Sequence, residues 1–283
     1  MELIDSYAQY EMYIKKFRQN QKAVGTNLFL LPKDLKAIIE ERRLYFGQTE
    51  SIIRILVDEG YYYHLYYIGD LNDLSFPKVQ KDVLIENIYN LKGNTEQAEI
   101  LRKVCLQAGA RFNKKSYQIE ITENPRNILL DNEYGILKKQ LNAKGLYIDF
   151  AEKKDMSQIA GLWEQYLEVY DFTYMSNHLI ENMISQKEIL AIKNEKKEVI
   201  ASKCMSFSGV RSVGFHLVVD SVYRGVGLGK MMMYEWLFLG REKGIKICNA
   251  WVAENNLVSL SCHLKAGMKT GKISEQYILP VLC

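Results

Sequence analysis

The sequence has no long uncharged apolar run, and so no segment expected to form a membrane-spanning helix. Its first residues, MELIDSYAQYEMYIKK, lack a basic start followed by an apolar core, so no secretory signal is expected. Paired cysteines are missing too. Cys105, Cys204, Cys248, Cys262 and Cys283 are odd in number, widely spaced and never in C-x-x-C form. That argues against a zinc site or a disulfide frame, and for a reducing cytoplasm in which most of these thiols are small buried apolar groups. A strong charge of one sign is also lacking. With a net charge of +3 and scattered basic residues, no stripe is available for nucleic acid. What remains fits a soluble globular chain. Of its 283 residues, 48% are apolar and 25% charged, enough for one large or two ordinary domains. Tyrosine is plentiful, with nineteen residues, eight of them clustered in EGYYYHLYYIG and EQYLEVYDFTYMS. Such clusters fill sheets or line ligand pockets.

The polar stretch ENPRNILLDNEYGILKKQLNAKG, residues 123–145, reads as a connector with a short helix, and places a domain boundary near residue 140. Residues 1–140 then form a smaller N-terminal α/β domain, and 141–283 a second domain. In the second half, GLYIDFAEK is a strand. A helix follows, with Asp155 as N-cap and Ile159, Leu162, Trp163, Tyr166 and Leu167 at helical spacing. NHLIENMISQ is a helix, EILAIKNEKKEVIASKCMSF a hairpin and RSVGFHLVV a strand. LGKMMMYEWLFLGREKG is a helix stopped by Gly244. IKICNAWV is a strand, NLVSLSCHLKAG a helix stopped by Gly267, and KISEQYILPVL a last strand. Alternating strands and helices predict an α/β layer around a mixed sheet.

In the first half, AQYEMYIKKFRQN and PKDLKAIIEERR read as helices, SIIRILVDEGYYYHLYYIG as a hairpin and DVLIENIYN as a strand. TEQAEILRKVCLQAGARF reads as a helix stopped by Gly109, and SYQIEI as a strand. LQAG at the end of that helix echoes LKAG at 264–267, with a hairpin before each. If this is a repeat, the first half is shorter by a strand and a helix.

The stretch RGVGLGK, Arg224 to Lys230, is the chemical signal. A P-loop needs a glycine where Arg224 stands and Ser or Thr where Met231 stands. A dinucleotide fingerprint needs its third glycine at Lys230 or at Met232. Both fail. What remains is R-x-x-G-x-G between a strand and a long helix.

That pattern resembles the acyl-CoA signature of the GNAT superfamily of N-acetyltransferases. The likeness extends to NNLVSLSCHLKAGM, where Asn256, Ser259, Lys265 and Gly267 fall in register with the family's asparagine helix, and to the order of elements from about 146 to 283. It covers the second half well and the first half poorly. It implies a GNAT-like mixed sheet flanked by helices for residues 141–283; if the LQAG and LKAG echo is a repeat, residues 1–140 are a degenerate, glycine-less relative in tandem. It also implies acetyl-CoA or another acyl-CoA as co-substrate and an amine of a small molecule or peptide as acceptor; from the composition, no metal, nucleic acid or membrane partner is expected.

The physical basis is an anion site at a helix N-terminus. Glycine lets the backbone approach a pyrophosphate closely and reach positive φ. Under the resemblance, the N–H groups of Gly225, Val226, Gly227, Leu228, Gly229 and Lys230 ring the pyrophosphate, and Arg224 and Lys230 add charge. A backbone N–H near Val218 or Val219 polarises the thioester carbonyl. Asn256 and Ser259 face the pantetheine arm, and Asn256 also suits an N-cap. Where the family often has tyrosine, this chain has His263, a candidate to protonate the departing thiolate or to donate it a hydrogen bond. A free alkyl amine is neutral in only about one molecule in a thousand at pH 7, so a base or water path is needed. His216 and Glu254 are the candidates. Residues 166–178 are expected to form a lid over the acceptor site, with the first half adding a second wall. The alternative is a non-catalytic acyl-CoA-binding or regulatory module.

Overall fold

A computed structural model of the chain describes residues 1–20, 25–28, 30, 32–91, 95–122, 128–171 and 175–281. By contacts the chain divides into two compact units, Met1–Ser116 with Lys272–Cys283, and Tyr117–Gly271. Among the described residues no helix is long and apolar enough to cross a membrane.

The first unit begins with β1 (Glu2–Leu3), α1 (Tyr7–Asn20), β2 (Gly25–Thr26), α2 (Pro32–Glu40) and β3 (Leu44–Gln48). β4 (Ile52–Asp58), β5 (Tyr63–Gly69), β6 (Val83–Asn90), α3 (Glu96–Gln107) and the start of β7 (Arg111–Thr122) follow. The end of the chain supplies Lys272–Leu279 of β13 (Lys269–Leu279), antiparallel to β6. The order is β1-β3-β4-β5-β6-β13, with β2 paired to β5. β4 carries buried apolar residues on both faces because both are covered. Ile53, Ile55 and Val57 pack with α1 and α2, while Ile52 and Leu56 face the cluster of α3.

The strand β3 is absent from the sequence reading for a local reason. α2 ends through Arg42, which adopts φ +57 with no glycine or proline to announce the turn. With β3 in place, the echo becomes exact in order. β3-β4-β5-β6-α3 matches the second unit's β9 (Ile189–Lys193), β10 (Val199–Ser208), β11 (Arg211–Val219), β12 (Ile247–Ala253) and α8 (Leu257–Lys265). The last two strands are parallel in both, and Gly109 and Gly267 stop their helices at φ +86 and +85. The first unit therefore lacks one helix, not a strand and a helix. A 3-10 turn at Leu71–Asp73 and an irregular loop join β5 to β6.

The parallel pairing of β5 with β6 covers only Tyr63–Leu65 against Val83–Ile85. Beyond it, the chain's own residues close the gap. β2 pairs with the end of β5 at Gly25↔Gly69 and Thr26↔Ile68. Asn27 donates through Nδ2 to the carbonyls of Leu65 (3.2 Å) and Glu86 (3.0 Å), and its Oδ1 accepts from the Tyr67 N–H (2.8 Å). One side chain thus bridges the parted strands.

The second unit contains the end of β7, α4 (Ile128–Asn142), β8 (Tyr147–Phe150), α5 (Met156–Tyr166), α6 (Asn177–Ser185), β9, β10, β11, α7 (Leu228–Glu242), β12 and α8. The polar connector thus holds a 15-residue helix rather than a short one, while its residues 123–127 lie outside the described part. The sheet order is β7-β12-β11-β10-β9-β8. It is a mixed sheet flanked by helices, as expected. α5 and α6 bury Ile159, Leu162, Trp163, Ile180 and Met183 against one face. α7 buries Met231, Met232 and Trp236 on the other, with Leu141 of α4 and Ala266 just past α8. Asp155 stands at the N-cap of α5, but its carboxylate accepts from the Glu152 N–H (2.8 Å) and pairs with Lys193 rather than capping α5.

Candidate active site

The second unit opens a fork between two parallel strands. β11 and β12 pair from Arg211↔Ile247 to Gly214↔Ala250 and then part. On its other edge, β11 carries a bulge. Ser202 faces Val218 and Cys204 faces Phe215, so Lys203 alone opposes both His216 and Leu217. His216 takes up the irregularity at φ +46. Past the bulge, the Asp220 N–H donates to the Ile200 carbonyl of β10 (2.9 Å). Successive N–H groups of a strand alternate in direction, so the Val219 N–H points to the parted side and that of Val218 towards β10. The Val218 side chain lies in the core beneath α5.

The glycine loop stands at the open end of the fork. Gly225 and Gly227 have φ +84 and +95, a conformation an L side chain rarely adopts. A Cβ on Gly227 would also lie 3.0 Å from Leu137 Cδ1 of α4. Gly227 is the N-cap of α7 and provides no side-chain acceptor, so the first N–H groups of the helix, from Leu228 through Gly229 to Lys230, receive no capping side chain from it. Val226 is exposed, and Leu228 anchors the turn in the core. Arg224 donates from Nε to the Val219 carbonyl (3.1 Å) and stacks its guanidinium 4.9 Å from the Tyr166 ring centre. Lys230 is already paired, its Nζ lying 2.7 Å from Glu133 of α4. The Tyr234 hydroxyl donates to the same carboxylate (2.7 Å). Hydrogen bonding from Lys230, then Tyr234, holds the Glu133 carboxyl below the usual range.

The family model of the GNAT acetyltransferases matches residues 157–268. These residues form a GNAT domain. A GNAT protein from Sphaerobacter thermophilus superimposes with a TM-score of 0.57 at 9% identity, covering 90% of this chain and 87% of its own. The tandem GNAT protein from the clavulanic acid biosynthesis pathway gives 0.51 at 10% identity, covering 82% and 80%. A GNAT protein from Kribbella flavida gives 0.52 at 10%, covering 85% and 91%. These coverages include both units, so the N-terminal half also resembles a GNAT fold. A search of curated protein sequences finds no match.

Within the GNAT domain, α8 is capped as its sequence predicts, with Asn256 Oδ1 accepting the Ser259 N–H (3.1 Å). His263 lies one turn on from Ser259, 3% exposed. Its Nδ1 is 2.8 Å from the Ser259 carbonyl, which can only accept, so the ring proton sits on Nδ1. The Ser259 hydroxyl is 3.4 Å from the same nitrogen. Nε2 is buried with no hydrogen-bond partner among the described residues. Burial pushes the imidazole down to about 4. The neutral ring therefore presents a lone pair, not the proton expected for a leaving thiolate.

The structure does not gather the candidate catalytic groups. His216 lies on the α5 face, edge-on to Trp163 (ring centres 5.4 Å apart), with Nε2 3.3 Å from the Asp171 carbonyl. Burial lowers it to about 4. His263 belongs to α8, which packs with α7 on the opposite face. Glu254 is exposed past the end of β12 and accepts a 2.6 Å hydrogen bond from the Tyr117 hydroxyl of β7. Of the expected lid, residues 172–174 lie outside the described part; Tyr166 holds Arg224, and its hydroxyl is 3.0 Å from Ser221 Oγ.

Sequence reasoning passed over two groups. Tyr117 sits over a hundred positions from the loop and carries no local signal. Lys203 did carry one, being a lone lysine inside an otherwise uncharged strand, ASKCMSF. It is 1% exposed, with its ammonium 4.5 Å over the Trp236 ring. Burial depresses it to about 8.

Proposed function

We propose that the chain is an acyl-CoA-dependent N-acyltransferase that uses acetyl-CoA and passes the acyl group directly to an amine of a small molecule or peptide. The observation that carries this reading is the open fork of β11 and β12 with the glycine-capped N-terminus of α7 at its mouth. The uncapped N–H groups there, with the positive end of the helix dipole, suit a pyrophosphate. Val226 to Lys230 supply that backbone, and Arg224 adds charge from the side of Tyr166. The pantetheine arm is an extended polar chain, and the parted strands leave a strand-wide place for it. The Val219 N–H is the donor directed into that place, and it stabilises negative charge developing on the thioester oxygen. Asn256 and Ser259 flank the arm from α8. The acceptor nitrogen attacks the carbonyl carbon, the C–N bond forms, the C–S bond breaks, and the proton shed by nitrogen ends on sulfur.

His263 serves as a hydrogen-bond acceptor at Nε2, not as the acid. Neither histidine suits the base role well, because a conjugate acid near 4 takes few protons from an ammonium. Glu254, joined to Tyr117, is the remaining candidate for receiving the amine proton. The first unit takes no acyl-CoA, because it has no glycine-capped helix between β5 and β6 to hold a pyrophosphate, and β2 and Asn27 fill the gap that remains. One acyl-CoA per chain is expected.

The test is calorimetry with acetyl-CoA, followed by thiol release in the presence of a panel of amines. Failure of every acyl-CoA to bind would sink the proposal. Binding at one site without turnover on any amine would favour a non-catalytic acyl-CoA-binding module, a reading supported by the missing proton donor at His263.

A further inference from the structure

Lys203 is an expensive residue where it stands. It lies on β10, the strand beside β11, and its side chain crosses β11 towards β12. The crossing is possible because position 214 is glycine. A Cβ there would lie 2.7 Å from Lys203 Nζ and 3.1 Å from the Trp236 ring. Gly214 also forms the last pair with β12, at Ala250, before the strands part. The amine therefore sits at the apex of the fork, opposite the glycine loop at its mouth.

The titratable groups that act on it are two thiols, Cys204 next to it on β10 and Cys248 on β12. It in turn acts on His263 of α8. The Trp236 ring face lies under it, held by its indole N–H to Ser212 Oγ (2.8 Å). Among the described residues no carboxylate pairs with it. Buried lysines are ordinarily matched by a carboxylate or dispensed with, since a methionine would fill the same space without a desolvated charge. A cation kept unmatched at the end of a ligand slot is a site prepared for an anion.

We propose that the Lys203 ammonium is the group that receives the sulfur of CoA, stabilising the thiolate as it leaves. This rests on the acyl-CoA reading above, which sets the pyrophosphate at the mouth and the sulfur at the far, apical end of the pantetheine arm. As the C–S bond breaks, its electron pair goes to sulfur, and the negative charge appears beside Lys203. The proton given up by the acceptor nitrogen then neutralises that thiolate. The same contact acts on the product, because bound CoA is a free thiol. Its thiolate is favoured by a neighbouring cation, which lowers the thiol's titration point. His263, neutral with its Nε2 lone pair buried, leaves the donor role to the lysine.

The experiment needs no acceptor. The ultraviolet thiolate absorbance of CoA bound to the full chain is titrated against pH, with free CoA as reference, for the wild type and for Lys203→Met. The wild type should show the bound thiol ionising at lower pH than free CoA. Lys203→Met should bring it back up by about one pH unit or more, a tenfold loss of thiolate near neutrality. Identical titration in the two proteins, or a wild-type thiol that ionises as in free solution, overturns the inference and leaves the acyl-CoA reading standing. Absence of CoA binding to the wild type overturns both. A second arm uses the wild type alone, comparing CoA with desulfo-CoA from about pH 6 to about pH 8. The preference for CoA should grow with pH as its thiol ionises. A flat ratio also overturns the inference, whether or not the methionine variant folds.

Discussion

Lys230 Nζ lies 2.7 Å from Glu133 Oε2, so this cation of the first turn of α7 enters the proposed phosphate site already engaged. Glu133 is held ionised by this contact and by the Tyr234 hydroxyl. A carboxylate beside a pyrophosphate site is repulsive, and it also competes for the lysine. Glu133→Gln should therefore tighten acetyl-CoA binding. Both side chains are substantially exposed, so the gain is modest, on the order of 1 kcal/mol or less, up to about fivefold in affinity. Calorimetry at low and high salt checks it. The gain should shrink as salt rises.

The two positive-φ glycines of the loop should differ under substitution. Gly225→Ala meets nothing within 4 Å and suffers only the backbone penalty of φ +84. Gly227→Ala has the same kind of penalty at φ +95 and brings its methyl to 3.0 Å from Leu137. Each backbone term is about 1 kcal/mol. Urea unfolding should rank Gly227→Ala below Gly225→Ala in stability. Both should weaken acetyl-CoA binding, because both disturb the N–H groups at the head of α7. Equal unfolding midpoints would show that Leu137 moves aside freely.

Buried histidines make the second unit sensitive to acid. His216 and His263 titrate at about 4 in the fold, against an ordinary value of 6.5. Their neutral forms are favoured by folding, so the unfolded chain binds more protons between those values. The contribution is fully present above about pH 6.5 and is lost as pH falls towards about 4. Each group can contribute as much as about 3 kcal/mol across that window. Urea unfolding at neutral pH and near pH 5 should show the loss, and His263→Phe should lessen it.

What could be read in advance was local. The glycine loop, the Asn256 cap and the stops at Gly244 and Gly267 are encoded within a turn or two of chain, where residue type dictates backbone conformation. What escaped depended on distant partners. The bulge that tilts His216 arises from pairing with β10, and nothing in HLVV announces it. Lys203 makes sense only once Gly214 of the next strand gives it passage. Glu133 and Tyr117 reach the loop and Glu254 from far along the sequence. Nothing local marks the start of β3, because Arg42 turns the chain without the glycine that usually marks a helix stop.

Asn27 offers a test of why the first unit lacks a ligand slot. Its amide satisfies the carbonyls of Leu65 and Glu86 and the Tyr67 N–H, three backbone groups at the parted ends of β5 and β6. It is 5% exposed, so truncation leaves these groups with little access to water. Asn27→Ala should cost about 2–4 kcal/mol, since a buried polar group left unmatched costs about 1–3 kcal/mol and several are affected. The loss should appear in the first unit, as faster amide exchange at Tyr67 and a lower urea midpoint. Acetyl-CoA binding should keep its stoichiometry of one per chain, because the first unit has no glycine-capped helix between β5 and β6 to hold a pyrophosphate. A second binding site uncovered by Asn27→Ala would show that the plug alone, and not the missing helix, keeps the first unit empty.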